Sequence, residues 1–91
     1  MLQIKSGNTF NKDVKILLKR KYDLQKLQHV VVLLAKQKKL PLKYKAHNLS
    51  GEYSKYQECH IEPNWLLIYK IEEEANSLYL FRTGTHSDLF K

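Results

Sequence analysis

The stretch HIEPNWLLIY, His60 to Tyr69, limits the possible folds of this 91-residue chain more than any other. Residues 53–61 form a run fit for a strand, residues 65–71 are almost continuously apolar, and Pro63 and Asn64 stand between the two runs. Proline presets φ and Asn tolerates turn conformations, so the pattern predicts a β-hairpin. A run apolar on both faces, such as residues 65–71, suits an interior strand covered on one side by helices. At the hairpin tip His60, Asn64 and Trp65 share a rigid support, which is what positioned chemistry requires.

The segments before the hairpin supply the helices. Leu2 and Ile4 read as a short first strand, and Ser6, Gly7, Asn8 and Thr9 as a turn with oxygens able to cap a helix. Phe10, Val14, Leu17 and Leu18 then form one helical apolar stripe, with Lys12, Lys15 and Lys19 on the water side. Asp23 is placed to cap a second helix, with Leu24, Leu27, Val31 and Leu34 at helical spacing up to about Lys38. His29 falls on its polar face and reads as an ordinary surface histidine. Pro41 ends the helical region, and residues 40–51, LPLKYKAHNLSG, form a basic loop.

Behind that loop, residues 53–61 place Tyr53, Cys59 and Ile61 on one face and Tyr56, Glu58 and His60 on the other. Glu72, Glu73 and Glu74 mark an exposed acidic turn. A last strand over 77–83 would put Leu78, Leu80 and Arg82 on one face and Tyr79 and Phe81 on the other, followed by a helical turn over 85–91. The expected architecture is α+β: β-α-α-β-β-β-α, a four-stranded, mainly antiparallel sheet with an N-terminal helical hairpin on one face, in a single domain over residues 1–91.

Charge and cysteine usage narrow the function. The first 45 residues carry 12 Lys/Arg against Asp13 and Asp23, net +10, and the remainder four against seven, net −3. A basic front half suits a phosphate-bearing partner or an acidic protein chain; a solvated lysine-rich surface is the other reading. The lone Cys59 excludes an intrachain disulfide and, without paired cysteine spacing, argues for a reducing, cytoplasmic setting. The apolar runs fall short of the ~18 residues of a membrane span, and the first residues lack signal-peptide order, so no membrane is expected.

Three histidines, His47, His60 and His86, fall at strand ends or in loops, with Arg82 and Asn64 available beside them. Imidazoles give and take protons near neutrality. Metal-free RNA cleavage needs a base for the 2′-hydroxyl, a cation for the phosphate and an acid for the departing 5′ oxygen. The spacing leaves open whether these residues converge. Lys43, Tyr44 and Lys45 in the loop interleave charge with an aromatic ring, as RNA backbone and a stacked base would require, or form an ordinary basic loop. No metal or other cofactor is expected: Cys59 and His60 point to opposite strand faces and cannot easily share an ion. Cys59 is expected to face the core and no nucleophile-elbow motif is present.

The strings LPLKYKAHNLSG, YQECHIEPNWLLIYKI and LFRTGTHSDLF closely resemble the YafQ type of toxin in the RelE superfamily of bacterial toxin-antitoxin systems, over nearly the whole chain. The resemblance implies a RelE-like fold and a ribosome-dependent mRNA endoribonuclease that cuts mRNA in the A site and is held inactive by a cognate antitoxin. It assigns His47 as general base, His86 as general acid, Arg82 as phosphate clamp and His60 as orienting or proton-sharing group. Trp65 and Phe90 would pack near or stack on the mRNA bases, and the basic residues, Lys43 and Lys45 among them, would contact ribosomal RNA or the antitoxin. Asn64 departs from the aspartate common in the family, and an amide can neither carry charge nor act as a base. Two alternatives stand beside this reading: a ParE-like gyrase inhibitor, and a non-catalytic ribosome- or RNA-binding relative.

Overall fold

Glycine at position 7 decides how the chain leaves its first strand. In the computed structural model, which describes residues 1–90 and leaves Lys91 of the expected tail outside the described residues, β1 (Gln3–Ser6) passes through Gly7 into α1 (Asn8–Lys19). A side chain at Gly7 would collide with the Tyr79 hydroxyl. Gly7 is therefore the N-cap, with no side-chain capping bond, in place of the expected polar cap. Asp23 caps α2 (Leu24–Ala35) as expected, accepting the Gln25 N–H at 3.0 Å.

Both helices stop through the same device. Lys21 and Gln37 take up positive φ, 63° and 56°. The next residue reaches back five positions in each case, Tyr22 N–H to the Leu17 carbonyl and Lys38 N–H to that of Leu33, each at 3.0 Å. This Schellman closure ends α2 at Ala35, three residues before the expected Lys38. The inward stripe of α1 also differs: Phe10, Asp13 and Leu17 are buried, whereas Leu18 is 55% exposed.

Among the described residues the sheet has five strands in the order β1-β5-β4-β3-β2, one more than expected. The additional strand, β2 (His47–Asn48), lies within the basic loop and pairs His47 with Glu58 and Asn48 with Gln57. Two residues are too few to show a period. Strand β3 (Gln57–Glu62) starts later than residue 53 because Gly51–Tyr53 forms a 3-10 turn. Strands β4 (Trp65–Glu72) and β5 (Ser77–Gly84) complete the antiparallel part, β4 in the centre, and β1 alone runs parallel to its neighbour β5. A short α3 (His86–Leu89) ends the described chain.

The helical hairpin packs on one sheet face: Phe10, Leu17, Leu27, Val30, Leu34 and Ala35 meet Cys59, Ile61, Trp65, Leu67, Tyr69, Leu78 and Leu80. Each fully buried aliphatic side chain there contributes about 1.5–3 kcal/mol. The alternate residues of β4, Leu66 and Ile68, are buried outside this cluster and belong to the opposite face. Register fixes what stands beside them. Ile68 pairs with Glu58 on one side and Arg82 on the other, whereas Tyr69 pairs with Leu80. A β-bulge at Phe81 therefore breaks the expected alternation, and Arg82 leaves the face of Leu78 and Leu80 for that of Ile68. Among the described residues, no helix is long and apolar enough to cross a membrane.

Candidate functional site

Three cross-strand rows occupy the face opposite the helices. His47, Glu58, Ile68 and Arg82 follow one another across four strands; His60, Leu66 and Gly84 form the row on one side; Lys70 and Tyr79 lie on the other. Residues in register share a face, so the ladder alone places two imidazoles, a carboxylate and a guanidinium on one surface.

His47 is held at both ring nitrogens. Nδ1 lies 2.8 Å from the Lys45 carbonyl and Nε2 lies 3.0 Å from Oε2 of Glu58. A carbonyl can only accept, so Nδ1 donates, which leaves Nε2 and the carboxylate to share one proton position. Glu58 is 5% exposed and has this imidazole as its ionic partner. Across the row gap, the His60 ring centroid is 6.5 Å from that of His47, and its Nδ1 bonds to the Pro63 carbonyl at 3.2 Å, which leaves Nε2 outside that bond.

Arg82 is gripped by Asp13 of α1, with Nε donating to Oδ2 at 2.7 Å and one terminal nitrogen to Oδ1 at 3.1 Å. Bonding to this carboxylate raises the guanidinium pKa further above its ordinary value. Strand β1 stops at Ser6, so β5 beyond Leu80 has no neighbour on that side, and Asp13 takes the neighbour's place by accepting the Thr83 N–H at 3.2 Å.

Trp65 is 1% exposed. Its indole N–H donates to Thr83 Oγ1 at 3.0 Å, the hydroxyl passes its own proton to the Leu66 carbonyl, and Tyr22 packs edge-on against the ring at 5.0 Å. Trp65 thus belongs to the core and offers no ring face to a base, contrary to the expectation that it stacks on RNA.

Asn64 holds the backbone of the third histidine. Its Oδ1 accepts the backbone N–H of His86 at 3.2 Å, docking α3 on the hairpin tip. An acceptor is all this bond needs, so the amide does here what a carboxylate oxygen would do. Thr85 and Asp88 cap α3 reciprocally, Thr85 N–H to Asp88 at 2.9 Å and Asp88 N–H to Thr85 at 3.2 Å. Arg20 adds a two-pronged bond to Asp88 at 2.8 and 3.2 Å. The Arg20 bonds, then the Thr85 amide, lower the Asp88 carboxyl to about 2. A side chain at Gly84 would press on Asp88, which accounts for glycine before Thr85. The exposed Phe90 ring lies 5.2 Å from that of His86.

Lys43 and Lys45 line a groove of about 650 Å³ that His60 and His29 also border. His47, Arg82, His86, Asn64, Trp65 and Phe90 lie outside it. Cys59 is fully buried, and burial pushes its thiol up to about 12, far from nucleophilic range. Among the described residues no group of three or more His, Cys, Asp and Glu is arranged to hold a metal ion. Two residues outside the expected set, Asp13 and Glu58, complete the site through Arg82 and His47.

Fold and site together define a small α+β protein that displays histidines and an arginine on the sheet face its helices leave open. The model of the family described as bacterial toxin of type II toxin-antitoxin system, YafQ, matches residues 2–91. The mRNA interferase toxin YafQ of Escherichia coli (strain K12) is 41% identical over 88 residues, covering 96% of this chain and 94% of that protein. A metal-bound toxin from Helicobacter pylori superposes with a TM-score of 0.94 at 46% identity, covering 99% of this chain and all of the other. The E. coli DinJ-YafQ complex matches with a TM-score of 0.90 at 39% identity and full coverage of both chains. The chain belongs to the YafQ family of bacterial type II toxin-antitoxin toxins.

Proposed function

We propose that this protein is an endoribonuclease that cuts mRNA in the ribosomal A site, without a metal ion, and so stops translation. The observation that carries the reading is the row of His47, Glu58 and Arg82 beside His60 on one open face. The YafQ of E. coli, named an mRNA interferase, is similar over nearly the whole chain.

Cleavage proceeds by attack of the ribose 2′ oxygen on the adjacent phosphorus while the bond to the 5′ oxygen breaks, leaving a 2′,3′-cyclic phosphate and a 5′-hydroxyl. His47 and Glu58 act as the basic couple that takes the proton from the 2′-hydroxyl, with Nδ1–H fixed on the Lys45 carbonyl and Nε2 set against the carboxylate. The terminal nitrogens of Arg82 meet the charge building on the phosphate. His86 protonates the departing 5′ oxygen, and His60, its Nδ1 engaged by the Pro63 carbonyl, orients the phosphate through Nε2. Phe90 packs against the substrate beside His86. Lys43 and Lys45 contact RNA backbone, an attraction that weakens steeply with salt.

An antitoxin partner, by similarity to the YafQ found with DinJ, covers this face before release. The test is to map mRNA 5′ ends on purified programmed ribosomes. A-site cuts by the wild type, absent in His86→Ala with an unchanged fold, support the reading; full activity of that variant ends the assignment. DNA damage without mRNA cuts would instead make it a gyrase inhibitor.

A further inference from the structure

The row next to the catalytic one is aromatic, and nothing in the proposed chemistry uses it. Tyr56 and Phe81 stack at 4.5 Å between centroids with planes 25° apart, and Tyr79 joins Phe81 at 6.4 Å. The Lys70 ammonium sits over two of these rings, 5.4 Å from Tyr56 and 5.6 Å from Tyr79. All four side chains are partly exposed on the face opposite the helical hairpin. Tyr56 lies two residues from Glu58 and Lys70 two residues from Ile68, roughly 7 Å along a strand, and Phe81 adjoins Arg82, so the rings begin where the phosphate clamp ends.

We infer that Tyr56, Phe81 and Tyr79, with Lys70, form a stacking platform for the nucleobase of single-stranded RNA adjoining the cleaved linkage. The inference rests on the endoribonuclease reading and names where its substrate lies. Ring faces bind bases of any sequence through stacking, and a cation among them serves the phosphate that accompanies each base. Phe81 reaches this face beside Arg82 because of the bulge between them, so one strand supplies both clamp and platform.

Cleavage on programmed ribosomes is measured for wild type, Phe81→Leu and Tyr56→Leu, with intact mRNA and with mRNA abasic at each nucleotide flanking the cut. Leucine keeps an apolar side chain while removing the ring. The expected result is a KM raised about tenfold with kcat nearly unchanged, and one abasic position that raises the wild-type KM but not that of the variants. An unchanged KM, or penalties that simply add at every position, overturns the platform. In a separate arm, a 2′-deoxy oligonucleotide that resists cleavage is titrated into wild-type protein while the tyrosine ring NMR signals are followed. Ring signals of Tyr56 and Tyr79 that shift with saturation support the platform, and signals that stay in place overturn it. A wild type that cuts no mRNA defeats the nuclease reading alone, since the titration still decides the platform.

Discussion

Asp13 and Arg82, 69 residues apart, meet in a two-pronged ion pair at 2.7 and 3.1 Å, and the same carboxylate closes the open edge of β5 at Thr83. Removing it strands a buried amide and releases the guanidinium. Asp13→Ala is expected to cost about 2–3 kcal/mol and to lower kcat about 10–100-fold through misplacement of Arg82. Asp13→Asn, which keeps an oxygen for Thr83, should recover much of the stability but little of the rate. Urea unfolding beside single-turnover cleavage separates the two; equal recovery of both would show that the charge does not position Arg82.

Glu58 backs His47 with a buried carboxylate 3.0 Å from Nε2. Glu58→Gln keeps the shape and removes the charge beside His47. We expect kcat to fall about 100-fold or more with KM nearly constant. A kcat within twofold of wild type would take Glu58 out of the basic couple.

Acid should loosen the helix that carries His86. The folded-state carboxyl of Asp88 is depressed to about 2, below the unfolded value of about 3.9. The unfolded chain therefore takes up the proton first. The stabilisation is complete above about pH 4 and is lost as pH falls from about 4 toward about 2. Asp88→Asn, missing the capping box, should be less stable near neutrality by about 1 kcal/mol, with the gap to wild type closing over that acid window. A gap independent of pH would contradict the Arg20 contact.

Trp65→Phe removes the indole donor to Thr83 and leaves the ring in the core. Stability should drop by about 1–2 kcal/mol, seen as a lower urea midpoint at unchanged slope, while kcat/KM per folded molecule stays the same. A loss of kcat/KM without a loss of stability would return Trp65 to the RNA-binding surface.

Local periodicity is legible in the amino-acid order itself. The hairpin around Pro63 and Asn64, the Asp23 cap and the central position of β4 all follow from patterns within a dozen or so neighbouring residues. The features that the order of residues hides depend on partners distant along the chain. Asp13 stands three residues after Phe10 and four before Leu17, a charge inside an apolar stripe, and that placement is the available signal of a buried ion pair. Glu58 lies two residues before His60 on the same strand face, but its bond to His47 exists only through the two-residue β2. Trp65 turns inward against expectation because an aromatic ring at a hairpin tip looks the same in sequence whether it faces solvent or Tyr22.

An ordinary strand sends neighbouring side chains to opposite sides, so it can lend a surface only every second residue. With its one supernumerary residue, β5 lends Phe81 and Arg82 together. Were the irregularity ironed out with Phe81 retained, the guanidinium would swing through the sheet to lie opposite Leu67, a cation thrust among aliphatic side chains. Were Phe81 deleted instead, Arg82 would keep its place and lose its neighbouring ring. A single-residue change of length in this strand therefore spares the guanidinium only where it removes the extra residue itself.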